Sequence, residues 1–246
     1  MSDVERVARE PIVDPALYSE EYFLADNEGW REYKEGLDSH IHPKFAQALA
    51  VGRPVPGERI LDIGCGRGEL LYYCARRGCE ALGIDYSPAA VALSRRTIGM
   101  LPPEYRERAR SEVGEITTYR FSGQFDCIFM VEALEHMHAW QLRQAMERIR
   151  GILAPDGRFI IMTPNYYYER YLSPLKRLLN IPFNVAKVPS RLLKDKYRQV
   201  GARGLLRKSV RLFPDRGDLN KAMHVYVTTP GSIRRLLEDF DATVRC

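Results

Sequence analysis

Short apolar runs alternate with longer stretches in which apolar positions recur at helical spacing, and this alternation continues over most of the chain. A Pro-Gly turn precedes "ERILDIG", which predicts a first strand at about 59–63. "GELLYYCARRG" reads as a helix closed by Gly78, and "CEALGID" as a second strand ending at Asp85. Ser87 as a cap and Pro88 at the first helical position open the next helix. "RSEVGEI" gives a third strand with its exit loop. "FDCIFMVE" is apolar on both faces, as a central parallel strand requires. "WQLRQAMERIRGIL" has helical period, and a "PDG" turn leads from it into the strand "RFIIMT". Near the end come a helix at "PGSIRRLLEDF" and a short strand, "ATVRC". Strands alternating with helices imply an α/β fold with a parallel, doubly wound sheet and helices on both faces.

This pattern divides the chain into four parts. Residues 1–50 form an aromatic-rich helical cap, carried by "YSEEYF" and "EGWREYKEGL", and residues 51–165 form the core. Residues 166–223 are a basic helical insertion after strand 5, and residues 224–246 complete the core.

Composition changes the picture mainly through charge. The net charge of +5 is unevenly spread. Residues 166–223 hold 14 Lys or Arg against four acids, a net +10, which leaves −5 for the remainder. A basic module is thus set on a mildly acidic body. The 45% hydrophobic and 28% charged content is ordinary for a globular protein. There is no apolar run long enough for a membrane helix, and the charged N-terminus lacks the apolar centre of a signal peptide. The five cysteines form no CxxC pair and no zinc-ligand spacing, so reduced thiols and a cytoplasmic location are expected.

The most specific local chemistry is "LDIGCGRGEL", which ends one strand and opens a helix with Gly64, Gly66 and Gly68 in the turn. Glycines there let a ligand approach the backbone, and the helix N-terminus favours polar or anionic groups. The spacing is G-x-G-x-G, not the dinucleotide G-x-G-x-x-G. Asp62 stands before the first glycine, and Asp85 ends the next strand, where a carboxylate can accept hydrogen bonds from ribose hydroxyls. The glycine spacing and the lack of an acid placed for hydride transfer turn the reading away from a nicotinamide dehydrogenase.

Taken in order, "ILDIGCGRGEL", "GIDYSPAAVALSRR", "FDCIFMVEALEHM" and "LAPDGRFIIMTPN" resemble the class I S-adenosylmethionine-dependent methyltransferases over about residues 56–165, and more loosely to the end. The resemblance implies a Rossmann-like core that binds S-adenosyl-L-methionine. It places Asp62, Gly64 and Gly66 around the methionine part of the cofactor, Asp85 on the ribose and Tyr86 against the adenine. The adenine amino group falls to Glu112, with Val113 beside it and Glu115 as a rival. The backbone at Val131 would cradle the cofactor, whereas Arg67 and Glu69 read as solvated helix-start residues. Tyr18 and Tyr22 could close over the cofactor or simply pack. In this fold the sheet usually finishes with an antiparallel hairpin, where this sequence offers the single strand "ATVRC".

"VEALEHMH" leaves the end of strand 4 at the lip of the implied pocket, and three roles are open for it. Glu135 and His136 can fix the loop. His136 can serve as general base for methyl transfer to oxygen, oriented by Glu132 or Glu135. Glu132, Glu135 and His136 can also hold a divalent metal, Mg²⁺ or Mn²⁺, as the resemblance to quinone-pathway O-methyltransferases and small-RNA 3′-end 2′-O-methyltransferases implies. His224 would then be the downstream ligand. His138 reads as a solvated residue opening the next helix.

The basic segment begins with four tyrosines in six residues, at 166–171, and sets Tyr171, Leu172, Leu175, Leu178 and Leu179 on one helical face. "ARGLLRKSVRLF" repeats the pattern. A helical lid packed on the core is one reading. Others are contact with an anionic membrane surface that presents a lipid-linked acceptor, an RNA backbone, or a phosphate-bearing or saccharide acceptor. RNA is disfavoured, because no RNA-binding module is recognisable. The expected activity is methylation of oxygen on a small molecule, quinone-like phenol or saccharide. RNA 3′-end methylation and non-catalytic cofactor binding are the alternatives.

Overall fold

The computed structural model describes residues 12–164, 171–189, 229–238 and 240. Five strands build its sheet: β1 (Arg59–Ile63), β2 (Glu80–Asp85), β3 (Ala109–Val113), β4 (Phe125–Val131) and β5 (Leu153–Met162). All four pairings are parallel, and the order is β3-β2-β1-β4-β5. The expected doubly wound α/β sheet is therefore present. Its order reverses at β1, which pairs with β2 on one side and β4 on the other. The crevice at the carboxyl ends of β1 and β4 is where such sheets bind ligands.

Alternation along the strands feeds two apolar layers. Ile60, Ala81, Cys127 and Phe129 pack on one face, with Ala48 and Leu49 of α2 (Pro43–Gly52) and Leu70, Leu71 and Cys74 of α3 (Glu69–Arg76). α1 (Trp30–Glu35) precedes them in the cap. Leu61, Ile63, Leu82, Ile84 and Ile128 face the other way. They meet Leu142, Met146 and Ile149 of α6 (Ala139–Ile152), with Ile233 and Leu236 of α9 (Pro230–Leu236) alongside. Each fully buried aliphatic side chain contributes about 1.5–3 kcal/mol over exposure. Helix α4 (Pro88–Gly99) starts as its sequence demands: Ser87 Oγ accepts from the Ala90 N–H and Pro88 occupies the first turn. Three further short helices are α5 (Pro103–Arg106) and, after the sheet, α7 (Ser173–Leu179) and α8 (Ile181–Ala186).

Two expectations change. The strand predicted at "RFIIMT" starts earlier, at Leu153, and the "PDG" turn lies inside it as an irregularity. Phe125 pairs with Leu153 and Cys127 with Arg158, so five steps along β5 pass two along β4. Pro155 has no N–H to give a ladder, which is why the chain bows out there before pairing again. The leucine face of the basic segment is also not packed away. Tyr171, Leu172, Leu175, Leu178, Leu179 and Phe183 are all exposed. The second half of that segment and the strand at "ATVRC" lie outside the described residues. Cys65, Cys74, Cys79 and Cys127 are free and buried, and no described helix is long and apolar enough to cross a membrane.

Candidate functional site

The glycine loop is shaped by contacts only glycine permits. Gly64 has φ +74°, and a Cβ there would lie 2.7 Å from the Ala133 Cβ. Its N–H and that of Cys65 donate to the Ile84 carbonyl at 2.8 and 3.1 Å, which fastens the loop to the end of β2. Gly66, at φ +51°, donates its N–H to Asp85 Oδ2 at 3.0 Å, while Asp85 Oδ1 accepts from the Ser87 N–H at 2.9 Å. Burial pushes the Asp85 carboxyl up to about 6, although those two N–H groups act against the rise.

Asp62, at the carboxyl end of β1, has no such support. Among the described residues its carboxylate makes no side-chain hydrogen bond or ion pair, while its backbone is held in the ladder between β2 and β4. Burial, then the Asp85 and Glu69 charges, push it up to about 8, with the Lys44 charge acting against the rise. A buried carboxyl that no cation pairs directly suits a ligand that carries an ammonium.

These groups open onto a cavity of about 1010 Å³, counted out to its mouth. Asp62, Gly64, Gly66, Asp85, Tyr86 and Val131 all line it. Glu112 and Val113 do not. Glu112 accepts from the Tyr119 hydroxyl at 2.6 Å, and Val113 is 51% exposed. The strand still runs at Val113, which pairs with Asp85, so the chain turns toward the cavity only beyond it. Gly114, Glu115 and Ile116 form that wall, so of the two glutamates weighed there it is Glu115 that lines the cavity.

Arg67 and Glu69 are not solvated either. They are 2% and 4% exposed, and they form a buried ion pair at 2.7 Å. Arg67 Nη1 donates to the Phe23 carbonyl at 2.6 Å and to Asn27 Oδ1 at 2.9 Å, and Nη2 donates to the Glu28 carbonyl at 2.9 Å. The N-terminal cap thereby sits on the glycine loop. It adds Tyr18, Tyr22 and Phe23 to the cavity wall.

At the opposite lip, Glu132 is held at φ +52°, a strained conformation for a residue with a side chain, and its N–H donates to the Met162 carbonyl at 2.7 Å. Its carboxylate pairs with Lys44 Nζ at 2.6 Å. Glu135 is buried behind the wall and is not among the cavity-lining residues; its Oε2 accepts from the Thr163 hydroxyl at 3.1 Å. Burial pushes its carboxyl up to about 7. His136 faces the cavity, its ring edge-on to Tyr18 at 5.4 Å between centroids. His138 is half-buried and caps α6, where its backbone N–H donates to Gln141 Oε1 at 3.0 Å. The carboxylates imagined as metal ligands therefore have separate partners. Among the described residues no group of three His, Cys, Asp or Glu is gathered to hold an ion. His224 lies outside the described residues.

Residues 30–246 match the methyltransferase domain family. The chain belongs to that family. Its sheet and surrounding helices are the Rossmann-like class I methyltransferase fold. The chain is 35% identical over 118 residues to a ubiquinone biosynthesis O-methyltransferase of Alkalilimnicola ehrlichii, covering 47% of this chain and 45% of that protein. A second, from Pseudomonas aeruginosa, is 30% identical over 146 residues, covering 58% and 60%. The chain thus spans about half the length of the curated relatives it matches. Among solved structures, the CcbJ methyltransferase of Streptomyces caelestis shares the fold at TM-score 0.52 and 18% identity, over 64% of this chain and 61% of that one.

Several cavity residues of this methyltransferase-family chain had no signal in the sequence. Lys44 meets Glu132 across 88 positions of chain. It reaches the cavity because His42 and Pro43 start α2 there, which leaves Lys44 in the first turn. Asn27 arrives with the cap. Gln141, on the first turn of α6, lies 3.5 Å from Glu115.

Proposed function

We propose that the chain binds S-adenosyl-L-methionine in this cavity and directs its methyl group onto an oxygen of a small acceptor, a quinone-like phenol or a saccharide. The observation that carries the reading is the unpartnered, buried Asp62 beside Asp85 at the switch point of the sheet. Asp62 would meet the cofactor's ammonium and Asp85 its ribose hydroxyls. Tyr86 and Ile116 would flank the adenine, and Glu115, hydrogen-bonded by Thr117, would accept from its amino group. The bound cofactor supplies an electrophilic methyl on a sulfonium, displaced in line by the acceptor.

The chain's own residues then have two tasks. Walls on three sides (cap, glycine loop and the Glu132–His136 lip) exclude water and hold the two reactants in contact, which supplies much of the rate. His136, facing the cavity from that lip, takes the acceptor's hydroxyl proton as the new C–O bond forms. Glu135 acts from behind, by bonding Thr163 and fixing the turn that carries His136. Glu132, committed to Lys44, shapes the lip. The names of the two relatives support oxygen as the nucleophile and a quinone-like acceptor. The three described residues first read as metal ligands do not converge, so no step is routed through a metal.

The test is calorimetric titration with S-adenosylhomocysteine, followed by transfer of labelled methyl to catechols, polyprenyl phenols and saccharides. Stoichiometric binding is expected, with His136→Ala lowering transfer by about 100-fold while product affinity holds. An unchanged transfer rate in that variant would remove His136 from the chemistry. Failure of the wild type to bind would end the reading.

A further inference from the structure

We propose that Arg67 is a positioning residue that locks the N-terminal cap onto the glycine loop, so that cap closure and cofactor occupancy form one equilibrium. The inference rests on the cofactor reading above and deepens it.

The cap contributes Ile12, Val13, Tyr18, Tyr22, Phe23 and Asn27 to the cavity wall, so a ligand inside touches cap and loop together. What ties the two is concentrated in one side chain. The guanidinium reaches the Phe23 carbonyl inside the helical turn Tyr22–Asp26, the Glu28 carbonyl just beyond it, and also Asn27 Oδ1. On its other side Nε donates to Glu69 Oε1 at 2.8 Å, and Nη2 lies 2.7 Å from the same oxygen. A planar fork with several fixed donors is what such a set of acceptors requires, and a lysine ammonium cannot span it. The base of the fork is equally fixed. Arg67 lies between Gly66 and Gly68, its carbonyl accepts from the Thr97 hydroxyl at 2.6 Å, and the Gly66 N–H is held by Asp85. A shift of the loop is therefore passed to the cap, and the reverse.

The Tyr18 and Tyr86 rings meet edge-on at 5.3 Å between centroids, so the cap also lies against the end of β2. Other polar ties of the cap run to α4 and its start and not to the glycine loop: Ser87 Oγ donates to the Tyr18 carbonyl at 2.8 Å, Arg96 pairs with Glu20 at 2.5 Å, and the Tyr33 and Thr97 hydroxyls bond at 3.0 Å. Exchange of cofactor requires the Tyr18–Asn27 wall to part from the loop, and its return is set by the guanidinium.

The experiment uses the full chain and S-adenosylhomocysteine, with Arg67→Lys, Asn27→Ala and the double variant. Arg67→Lys keeps a cation beside Glu69, so the loop stays paired while the fork is lost. Affinity is read by calorimetry and cap closure by hydrogen exchange of amides 18–29. In the wild type the ligand should slow that exchange. Arg67→Lys should bind about 10-fold more weakly, with ligand-induced protection of the cap lost and exchange of β1 and β4 unchanged. Because the two side chains act as one lock, the double variant should bind no more weakly than Arg67→Lys alone. Binding by Arg67→Lys within twofold of wild type would overturn the proposal. So would retained cap protection, or losses that multiply in the double variant. No binding by the wild type would instead fail the cofactor reading, which keeps the two outcomes separate.

Discussion

Replacing Glu135 by glutamine should stabilise the ligand-free protein, and by an amount that depends on pH in a defined way. Glu135 is buried, and burial raises its carboxyl from 4.5 to about 7, with the Glu132 charge adding to the rise and the Thr163 hydroxyl opposing it. At pH 4 the carboxyl is protonated both folded and unfolded, so it contributes no pH-dependent term. Between pH 4.5 and 7 the unfolded chain releases the proton while the folded chain keeps it. The folded state then binds more protons, and stability falls as pH rises. One pKa unit corresponds to about 1.4 kcal/mol, so a rise of roughly 2.5 units takes about 3 kcal/mol from the wild type by pH 7.5. Glutamine has the same shape and can still accept from Thr163, but it carries no proton to lose. The difference in unfolding free energy, variant minus wild type, should be near zero at pH 4 and climb by about 1.4 kcal/mol per unit above pH 4.5. It should level off at about 3 kcal/mol above pH 7. Asp62 and Asp85 titrate in both proteins and largely cancel in the difference. Urea unfolding followed by circular dichroism from pH 4 to 8.5 measures it. At a slope of about 2–3 kcal/mol per molar urea, the plateau is a midpoint shift of about 1 M. A difference that is flat across that range, or that falls with pH, would refute the claim that Glu135 is buried and unpaired by any cation.

The same sign applies to Asp62, with a second consequence. Asp62→Asn should raise the thermal midpoint of the ligand-free protein at pH 8.5 relative to wild type and leave it unchanged near pH 3.5, because the folded carboxyl keeps its proton up to about 8. In the same thermal scans, the stabilisation brought by S-adenosylhomocysteine should shrink in this variant, and an undiminished ligand shift would separate Asp62 from the ammonium. Gly64→Ala should lose about 2–4 kcal/mol of stability, from positive φ and a Cβ driven into Ala133, and wild-type stability in a denaturant titration would contradict the loop geometry.

The parts of this molecule legible in the sequence are those made by neighbours in the chain. A strand that ends at Ile63, three glycines that turn it and a helix that begins at Glu69 lie in one continuous run. The ligand-facing roles expected for Asp62, Gly64 and Gly66 accordingly fall on residues that line the cavity. Asp85 follows the same logic one strand later. The cavity wall after β3 lies a few residues beyond Glu112, because where β3 stops depends on its pairing with β2 and not on "SEVGEI" itself. The start of β5 was missed for a similar reason: pairing with Phe125 recruits Leu153 across a "PDG" segment that reads locally as a turn.

Arg67 and Glu69 fail differently, and the difference bears on function. Two charged residues at a helix start are ordinarily solvated, and nothing within ten positions of them contradicts that. Their burial is imposed by residues 23–28, some 40 positions earlier, which place carbonyls where the guanidinium can reach. Lys44 and Glu132 are the same case at larger separation. The half of the cavity around Asp62 and Asp85 is thus written locally, in the glycine loop and the ends of β1 and β2. The half built by the cap, Lys44 and the Glu132–His136 lip is assembled from distant segments. Changes in the cap or at the start of α2 can therefore reshape that half while Asp62, the glycines and Asp85 stay as they are. A chain that keeps the motif but has lost the acceptors of Arg67 should still fold around its five strands, and it should hold its cofactor loosely.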